Sequence, residues 1–268
     1  MQTCSFFSEN AAIRVLMKGK WQFECTQGLL EVDAGEQSRI LYFGPQTRIL
    51  PLLVTGPFRF VQIEFRPGLR RKDTGLDAAE TLDRVLPFDH LVPEDRHGSF
   101  FDEADGRERW LDTFEVLTRT ILQPMVASPP PPIVLAFEEM VLADPDFEIG
   151  HFLAEHHVSR RTLERKVAAA YGLSPLAVIR RARALDIAAA LLGVAMPEEE
   201  AEFRLRFFDQ AHLTKQIRRY FGMSPGQLAK AEAHLLRIDL EIRQIRRVAA
   251  RKALGITQVP WRSTAAPA

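Results

Sequence analysis

The C-terminal half of the chain contains one pattern twice. Residues 162–175 read TLERKVAAAYGLSP, and residues 212–225, fifty positions later, read HLTKQIRRYFGMSP. The two stretches share their apolar positions, their glycine and their Ser-Pro pair, whereas the positions between these differ. A repeat of this kind describes one supersecondary unit used twice. Each copy is typical of a helix-turn-helix.

The first copy predicts two helices joined by a tight turn. A short helix carries Phe152 and Leu153, the turn passes through His156 and His157, and Ser159 caps the second helix. Histidine tolerates such a turn better than most residues do.

The second helix of this motif is amphipathic. Leu163 and Val167 are four residues apart and share its buried face. Gly172 ends the helix by adopting a left-handed conformation, and Ser174-Pro175 begins the next helix. The outward face is mostly basic and comprises Arg160, Arg161, Glu164, Arg165 and Ala168.

The second copy repeats this plan. Leu213 and Ile217 lie inside, and Gly222 followed by Ser224-Pro225 ends the helix. The outward residues are Gln210, Ala211, Thr214, Lys215 and Arg218.

These motifs resemble those of the AraC/XylS family of bacterial transcription regulators. The resemblance rests on residues 158–165 in the first motif, and on residues 207–214 and 221–225 in the second. It implies that two recognition helices enter successive major grooves on one face of the duplex, held apart by the long helix after Ser174-Pro175. One helical turn of DNA sets the same separation.

Carried over by position, the resemblance assigns roles to individual side chains. Base contacts fall to Arg161, Glu164 and Arg165 in the first motif and to Gln210, Thr214 and Lys215 in the second. Phosphate contacts fall to Arg160, Arg218 and Arg219. Arginine suits guanine, glutamine suits adenine, and a glutamate accepts from the cytosine amino group. The target sequence and the choice between activator and repressor stay open.

Two residues of the second motif depart from the family pattern. Glu202 stands where the family usually has a small residue in the packed first helix, and Arg206 stands where it has the glycine of the turn. A buried Glu202 is costly unless paired, and Arg206 at positive φ is strained by roughly 1 kcal/mol or more. These residues keep an alternative open, namely a protein-interaction module whose degenerate second helix-turn-helix no longer binds DNA specifically.

Upstream of residue 70 the pattern predicts β-strands. Aliphatic and aromatic runs separated by glycines occupy residues 23–32, 39–43, 49–54 and 58–65. Short strands with glycine turns predict a small barrel. Residues 44–47 and 65–68 also resemble segments of the cupin-like N-terminal domain of a subset of AraC-type regulators.

The aromatic residues of this half fit either a ligand pocket or the core. They are Trp21, Phe23, Tyr42, Phe43, Phe58, Phe60 and Phe65. Alternation over residues 58–65 places Phe58 and Phe60 on one strand face and Val61 and Ile63 on the other. The resemblance admits a small-molecule effector in this domain, and the sequence identifies no ligand.

The sequence predicts neither a metal site nor a cofactor. Cupin enzymes hold a metal with a His-x-His pair, a carboxylate and a further histidine, yet no histidine occurs between Met1 and Asp89. The sequence contains no zinc-ligand spacing, nucleophile motif, phosphate loop or dinucleotide fingerprint. We therefore expect no catalytic activity.

An amphipathic helix is expected between the barrel and the C-terminal half. Its apolar stripe comprises Trp110, Leu111, Phe114, Leu117, Thr118, Ile121 and Leu122. The barrel or a partner subunit must cover this stripe. In the resembled family such helices commonly carry dimerisation, which implies a homodimer.

After the second motif the sequence predicts an additional basic helix. Its apolar residues alternate three and four apart as in an a/d seam and comprise Leu235, Ile238, Ile242, Ile245 and Ala249. The basic residues around them are Arg237, Arg243, Arg246, Arg247, Arg251 and Lys252. Such a helix fits three roles: packing on its own domain, a second dimer contact, or phosphate contacts.

Charge separates the two halves of a chain that is neutral overall. Residues 1–150 contain 15 Lys and Arg against 24 Asp and Glu, whereas residues 151–268 contain 20 against 11. A basic region that carries recognition helices is typical of a phosphate-contacting surface.

The sequence thus predicts an α+β chain with an N-terminal barrel and an all-α AraC-type domain. The expected parts are a β-rich sensing and dimerisation domain (1–127), a proline-rich linker (128–132), the DNA-binding domain (133–231) and a basic helix with a disordered tail (232–268). Expected partners are double-stranded DNA, a second copy of the chain, an effector and RNA polymerase. We expect a cytoplasmic protein, because no run is apolar enough to span a membrane and the N-terminus lacks signal-peptide features.

Overall fold

A computed structural model describes residues 2–34, 38–68, 70–71, 78–87, 104–119, 123, 126–195 and 210–256. An antiparallel sheet occupies the N-terminal half and helices occupy the C-terminal half, which confirms the α+β class. Among the described residues, no helix is both long and apolar enough to cross a membrane.

Six strands form the main sheet, in the order β1-β5-β2-β4-β7 with β3 paired to β2. They are β1 (Gln2–Phe6), β2 (Ala12–Cys25), β3 (Gly28–Asp33), β4 (Arg39–Phe43), β5 (Leu50–Glu64) and β7 (Val85–Pro87). Two short strands, β6 (Arg70–Arg71) and β8 (Val126–Ser128), form a separate antiparallel pair. A short helix α1 (Ala78–Thr81) precedes β7. The predicted run 23–32 is therefore a hairpin between β2 and β3, and β2 begins well before it.

The main sheet folds over onto itself along its two longest strands. β2 and β5 pair along their lengths, with register shifts between Leu16 and Lys20. Gly19, with a φ of 98°, lies in this irregular stretch, and a Cβ there would come within 3.1 Å of the Phe58 Cβ. Glycine is required here because other residues rarely adopt this φ.

Aromatic side chains fill the space between the two halves of the folded sheet. The ring centroids of Phe23 and Phe43 are 5.5 Å apart, and those of Trp21 and Phe60 are 5.9 Å apart. Such edge-to-face pairs are favourable ring contacts. Trp21, Phe23 and Phe43 are completely buried. These aromatic residues therefore belong to the core of the sheet domain, whereas Phe65 lines a cavity beside the C-terminal helices.

The opposite face of the sheet is covered by α2 (Arg107–Leu117). Phe114 and Leu117 are buried against Ile13 and Val15, and Trp110 packs beside them. The predicted amphipathic helix is thus confirmed, and the domain itself covers it.

For one residue of the predicted apolar stripe, the expectation of burial is wrong. Leu111 is 55% exposed, because it projects from α2 away from the sheet. Ile121 and Leu122 lie outside the described residues.

Seven helices are described in the C-terminal half. They are α3 (Pro132–Ala143), α4 (Ile149–Glu155), α5 (Arg160–Tyr171), α6 (Pro175–Leu191), α7 (Gln210–Phe221), α8 (Pro225–Ala229) and α9 (His234–Ala253). α3 begins at the end of the proline run and buries Val134, Phe137 and Val141.

The additional helix α9 packs on its own chain, but only partly with the predicted face. Leu235 of the predicted seam is buried and Ile242 is half-buried, whereas Ile238 and Ile245 are exposed. The prediction is wrong for the exposed residues because the side facing the protein also buries arginines, among them Arg247.

Buried ion pairs connect α9 to α6 and to the sheet domain. Asp186 of α6 accepts hydrogen bonds from both Arg243 and Arg247, the latter at 2.9 Å. Arg243 also donates to Glu9, which follows β1, at 2.9 Å. Asp186 and Arg247 are shielded from solvent. Two carboxylates and two guanidinium groups thus hold three parts of the molecule together.

A second set of contacts uses neighbouring turns of α9. Arg246 Nη1 lies 2.8 Å from Glu64 Oε1 at the end of β5, and Arg246 also pairs with Glu138 of α3. Asp239 accepts a 2.8 Å hydrogen bond from the Phe7 N–H and lies 3.5 Å from the buried Arg14. Arg243, Arg246 and Arg247 are therefore engaged within the chain and not placed for the phosphate contacts considered from the sequence.

Removing the charge of Asp186 should destabilise the fold strongly. In Asp186→Asn, Arg247 stays buried without its counter-charge and Arg243 keeps only Glu9. Breaking a buried pair in this way typically costs about 3–5 kcal/mol. The matched control is Asp146→Asn, whose ion pair with Arg183 is 40% exposed on both sides and should contribute less than about 1 kcal/mol. Chemical denaturation measures both losses, and equal losses would contradict the importance of the buried pairs.

Candidate nucleic-acid interface

The first helix-turn-helix consists of α4, a tight turn and α5. The turn places His157 at a φ of 51°, and the His156 ring packs 4.4 Å from the Phe152 ring. The Thr162 N–H donates to the Ser159 hydroxyl at 3.2 Å, so Ser159 is the predicted N-cap.

α5 buries the predicted side chains and ends at the predicted residue. Leu163 and Val167 pack against Phe137 and Phe152 in one hydrophobic cluster. Gly172 ends the helix with a φ of 66°, in the left-handed region. The sequence therefore predicted both ends and the rotation of this helix correctly.

The outward face of α5 carries the residues expected to contact DNA. Arg160, Arg161, Glu164 and Arg165 are all exposed. None of the four forms an ion pair with any other described residue. Three cationic side chains and one carboxylate are thus available to an external partner.

The helix expected to be the second recognition helix is α7, which begins at Gln210. Ile217 is buried and Leu213 packs partly against the same cluster, as predicted. Lys215, Arg218 and Arg219 are exposed. These three exposed side chains are all cationic.

A capping box follows the second recognition helix. The Gln227 N–H donates to the Ser224 hydroxyl at 3.3 Å, and the Ser224 N–H donates to the Gln227 side chain at 2.8 Å. Gly222 precedes it with a φ of 70°. The departures Glu202 and Arg206 lie outside the described residues, as does the whole of 196–209.

α6 joins the two motifs and belongs to the core of both. Val178 and Ala182 pack in the cluster that holds α5, whereas Leu185 and Ala188 pack in the cluster that holds α7. With 17 residues, α6 is about 26 Å long at 1.5 Å per residue. Its burial on both sides fixes the relation between the recognition helices.

The sheet domain contacts α6 and the end of α7 directly. Arg181 of α6 is buried and donates to the Gln46 carbonyl at 2.9 Å. The Ile49 N–H, just before β5, donates to the Tyr220 carbonyl of α7 at 2.7 Å. These two bonds, together with the Asp186 ion pairs, tie the N-terminal domain to the framework of the recognition helices. Sequence patterns missed them because they join positions more than 130 residues apart.

A cavity of about 560 Å³ lies where the sheet domain, α3 and α9 meet. Its lining is mixed, with Glu64, Glu138 and Arg246 facing apolar residues such as Phe65 and Leu142. Burial raises the pKa of Glu64 to about 7, although Arg246 opposes this shift. Among the described residues, no group of three or more His, Cys, Asp or Glu could hold a metal ion.

Comparison with known proteins identifies the helical region. The family model described as a helix-turn-helix domain matches residues 153–231. The C-terminal region belongs to the AraC-type helix-turn-helix family. The resemblance to AraC/XylS regulators is thereby confirmed, and an AraC-type domain supports a DNA-binding transcription regulator. No curated protein sequence matches the chain.

Solved structures show the same arrangement of a sheet region and an AraC-type region. A 1.65 Å structure of ToxT from Vibrio cholerae aligns with 85% of this chain and 94% of ToxT, at 10% identity and a TM-score of 0.51. An apo ToxT variant aligns with 85% of this chain and 93% of ToxT, at 12% identity and a TM-score of 0.51. The C-terminal domain of AraT, a response regulator from Geobacillus stearothermophilus, aligns with 40% of this chain and 90% of that domain, at 21% identity and a TM-score of 0.34. The two ToxT alignments support the two-domain fold.

The raised pKa of Glu64 predicts a pH-dependent stability. As the pH rises from about 5 to 8, Glu64 of the folded protein loses a proton that it binds more tightly than the unfolded chain does. Ionisation of Glu64 therefore lowers the free energy of unfolding. The variant Glu64→Gln lacks this proton release, and its stability relative to the natural protein should rise over the same range. Denaturation at several pH values measures the difference. The control is Glu24→Gln, at an exposed carboxylate, and the same pH course in both variants would refute the assignment.

Proposed function

We propose that this protein is a sequence-specific transcription regulator that inserts α5 and α7 into successive major grooves of double-stranded DNA. The observation that carries the proposal is the pair of recognition helices with exposed cations, held by one spacer helix that is buried in both motifs. Cations on such helices favour the phosphate backbone, and side chains at their outward faces reach base edges.

Individual roles are carried over by position from the resembled family. Arg161, Glu164 and Arg165 of α5 are proposed to read bases, as are Gln210, Thr214 and Lys215 of α7. Arg160, Arg218 and Arg219 are proposed to contact phosphates. Exposed, unpaired side chains on α5 support the first set, because reaching a base requires breaking no internal contact.

The N-terminal domain is proposed to control the recognition helices through α6. Because Gln46 and Ile49 bond to α6 and α7, a displacement of the sheet domain would move the framework that sets the distance between the grooves. An effector in the N-terminal half is best accommodated in the cavity beside Glu64, since the barrel interior is filled by aromatic rings. Contact with RNA polymerase stays a prediction.

The first test separates base contacts from phosphate contacts. Arg165→Ala should weaken binding to the specific site by roughly 1–3 kcal/mol and relax preference at one base position. Arg218→Ala should weaken all duplexes alike and reduce the slope of affinity against salt by about one. Titration of a fluorescent duplex at several salt concentrations measures both effects.

The control for this test is Arg109→Ala, which removes an exposed arginine of α2 far from either motif in the sequence. It should leave DNA affinity unchanged. If Arg165→Ala loses the same affinity for specific DNA as for random DNA, α5 does not read bases. Absence of any specific site would favour the protein-interaction alternative.

The second test compares the two motifs. Because Glu202 and Arg206 depart from the family pattern, the first motif should supply most of the sequence discrimination and the second mainly affinity. Replacing Arg161 and Arg165 together by alanine should abolish selective protection in a footprint. Replacing Gln210 and Lys215 should shorten the footprint by about one groove and leave the other half-site recognised. Equal loss of selectivity would show that both motifs read sequence.

A further inference from the structure

Exposed apolar side chains concentrate on the outer side of α9. Of the large apolar residues exposed in the described part of the chain, half belong to α9 and the turn after it, with Ile238 43%, Ile245 71%, Val248 49% and Leu254 38% exposed. The others are Leu29, Leu111, Val116 and Leu176. Leu111 and Val116 share α2 but stand about 140° apart on it, so they form no stripe.

The exposed residues of α9 follow the spacing of a coiled coil. Ile238, Glu241, Ile245, Val248 and Lys252 alternate three and four residues apart, and all are exposed. We call these five residues the outer stripe. It lies opposite the buried ion pairs, which occupy the other side of the same helix. Exposed apolar residues grouped on one side of a folded surface mark a contact site.

We propose that the outer stripe is a homodimer interface in which α9 packs antiparallel against α9 of a second copy. The charges within the stripe select this orientation. In a parallel pair Glu241 would face Glu241 and Lys252 would face Lys252, and both contacts are repulsive. In an antiparallel pair Glu241 of each copy faces Lys252 of the other, and Ile245 of each faces Val248 of the other.

The same charges fix the register. Moving one helix by a heptad from this arrangement would set Glu241 against Ile245 and leave Lys252 without an acidic partner. Neither Glu241 nor Lys252 forms an ion pair with another described residue, so both are available. In the selected register Ile238 approaches the turn that carries Leu254, which explains the exposure of that residue as well. Because charged residues interrupt the outer stripe, a protein partner is favoured over a lipid surface.

Two heptads are too few for an isolated coiled coil, but α9 is not isolated. Leu236, Leu240 and the ion pairs of Arg243 and Arg247 already hold it against its own chain. The helix is therefore formed before association, and dimerisation does not have to offset the conformational entropy lost when the helix becomes ordered. The dimer is expected without DNA and does not depend on the proposed regulatory function.

Sedimentation velocity of the full chain without DNA tests the interface. The natural protein should be a dimer, and Ile245→Glu should raise its dissociation constant by about 30-fold or more, as loss of a central contact does. Ile245→Leu is the matched control and should remain dimeric. Because Ile245 is largely exposed in the single chain, circular dichroism and thermal melting should show both variants folded.

A charge exchange tests the orientation. Glu241→Lys and Lys252→Glu should each weaken the dimer, and the two together should restore it, because every antiparallel Glu-Lys contact is then re-formed with reversed charges. A natural protein that stays monomeric at all attainable concentrations overturns the proposal. So does a dimer that survives Ile245→Glu, or a double variant no tighter than either single one.

Discussion

The buried contact of Asp186 with Arg243 and Arg247 organises the molecule. Charges removed from water are expensive, and their mutual attraction offsets that cost only in one geometry. If α9 rotated or slid, an arginine would remain buried without its carboxylate. The ion pairs therefore specify a single arrangement of α9, α6 and the sheet domain rather than simply adding stability.

This constraint reaches α5 and α7 because Asp186 lies on α6, which packs against both. α6 is buried in the core of both motifs, and on its remaining side it meets α9 and the Gln46 carbonyl of the sheet domain. The distance between α5 and α7 is thus tied to the N-terminal half. A DNA-binding region with a flexible linker would lack this link, and its two halves would act independently.

α9 reverses the usual distribution of residues on a surface helix. Its inner side buries arginines among carboxylates of four different segments, whereas its outer side exposes isoleucine and valine. The arginine stems can lie along apolar neighbours while their guanidinium groups reach carboxylates. An inner surface built for ion pairs leaves the helix's β-branched residues on the outside, where a second surface can cover them.

Sequence by itself determined the local structure of the DNA-binding region. Ser159, Gly172, Ser174 and Ser224 cap or end helices through contacts within a few residues, so their pattern predicts α5, α6 and α8 directly. The strand at residues 39–43 was predicted equally well, because its apolar residues record burial in a core. The runs 49–54 and 58–65, predicted as two strands, form the single strand β5.

Only the tertiary structure decided which side of α9 faces the protein and how the two halves meet. The contacts concerned pair Arg243 with Glu9, Arg246 with Glu64 and Arg181 with Gln46, all distant along the chain. Hydrophobic periodicity does not predict which side of a helix is buried when that side carries charged residues. An arginine paired with a carboxylate and an arginine in solvent cannot be distinguished in the sequence. Their difference lies in partners that folding alone brings together.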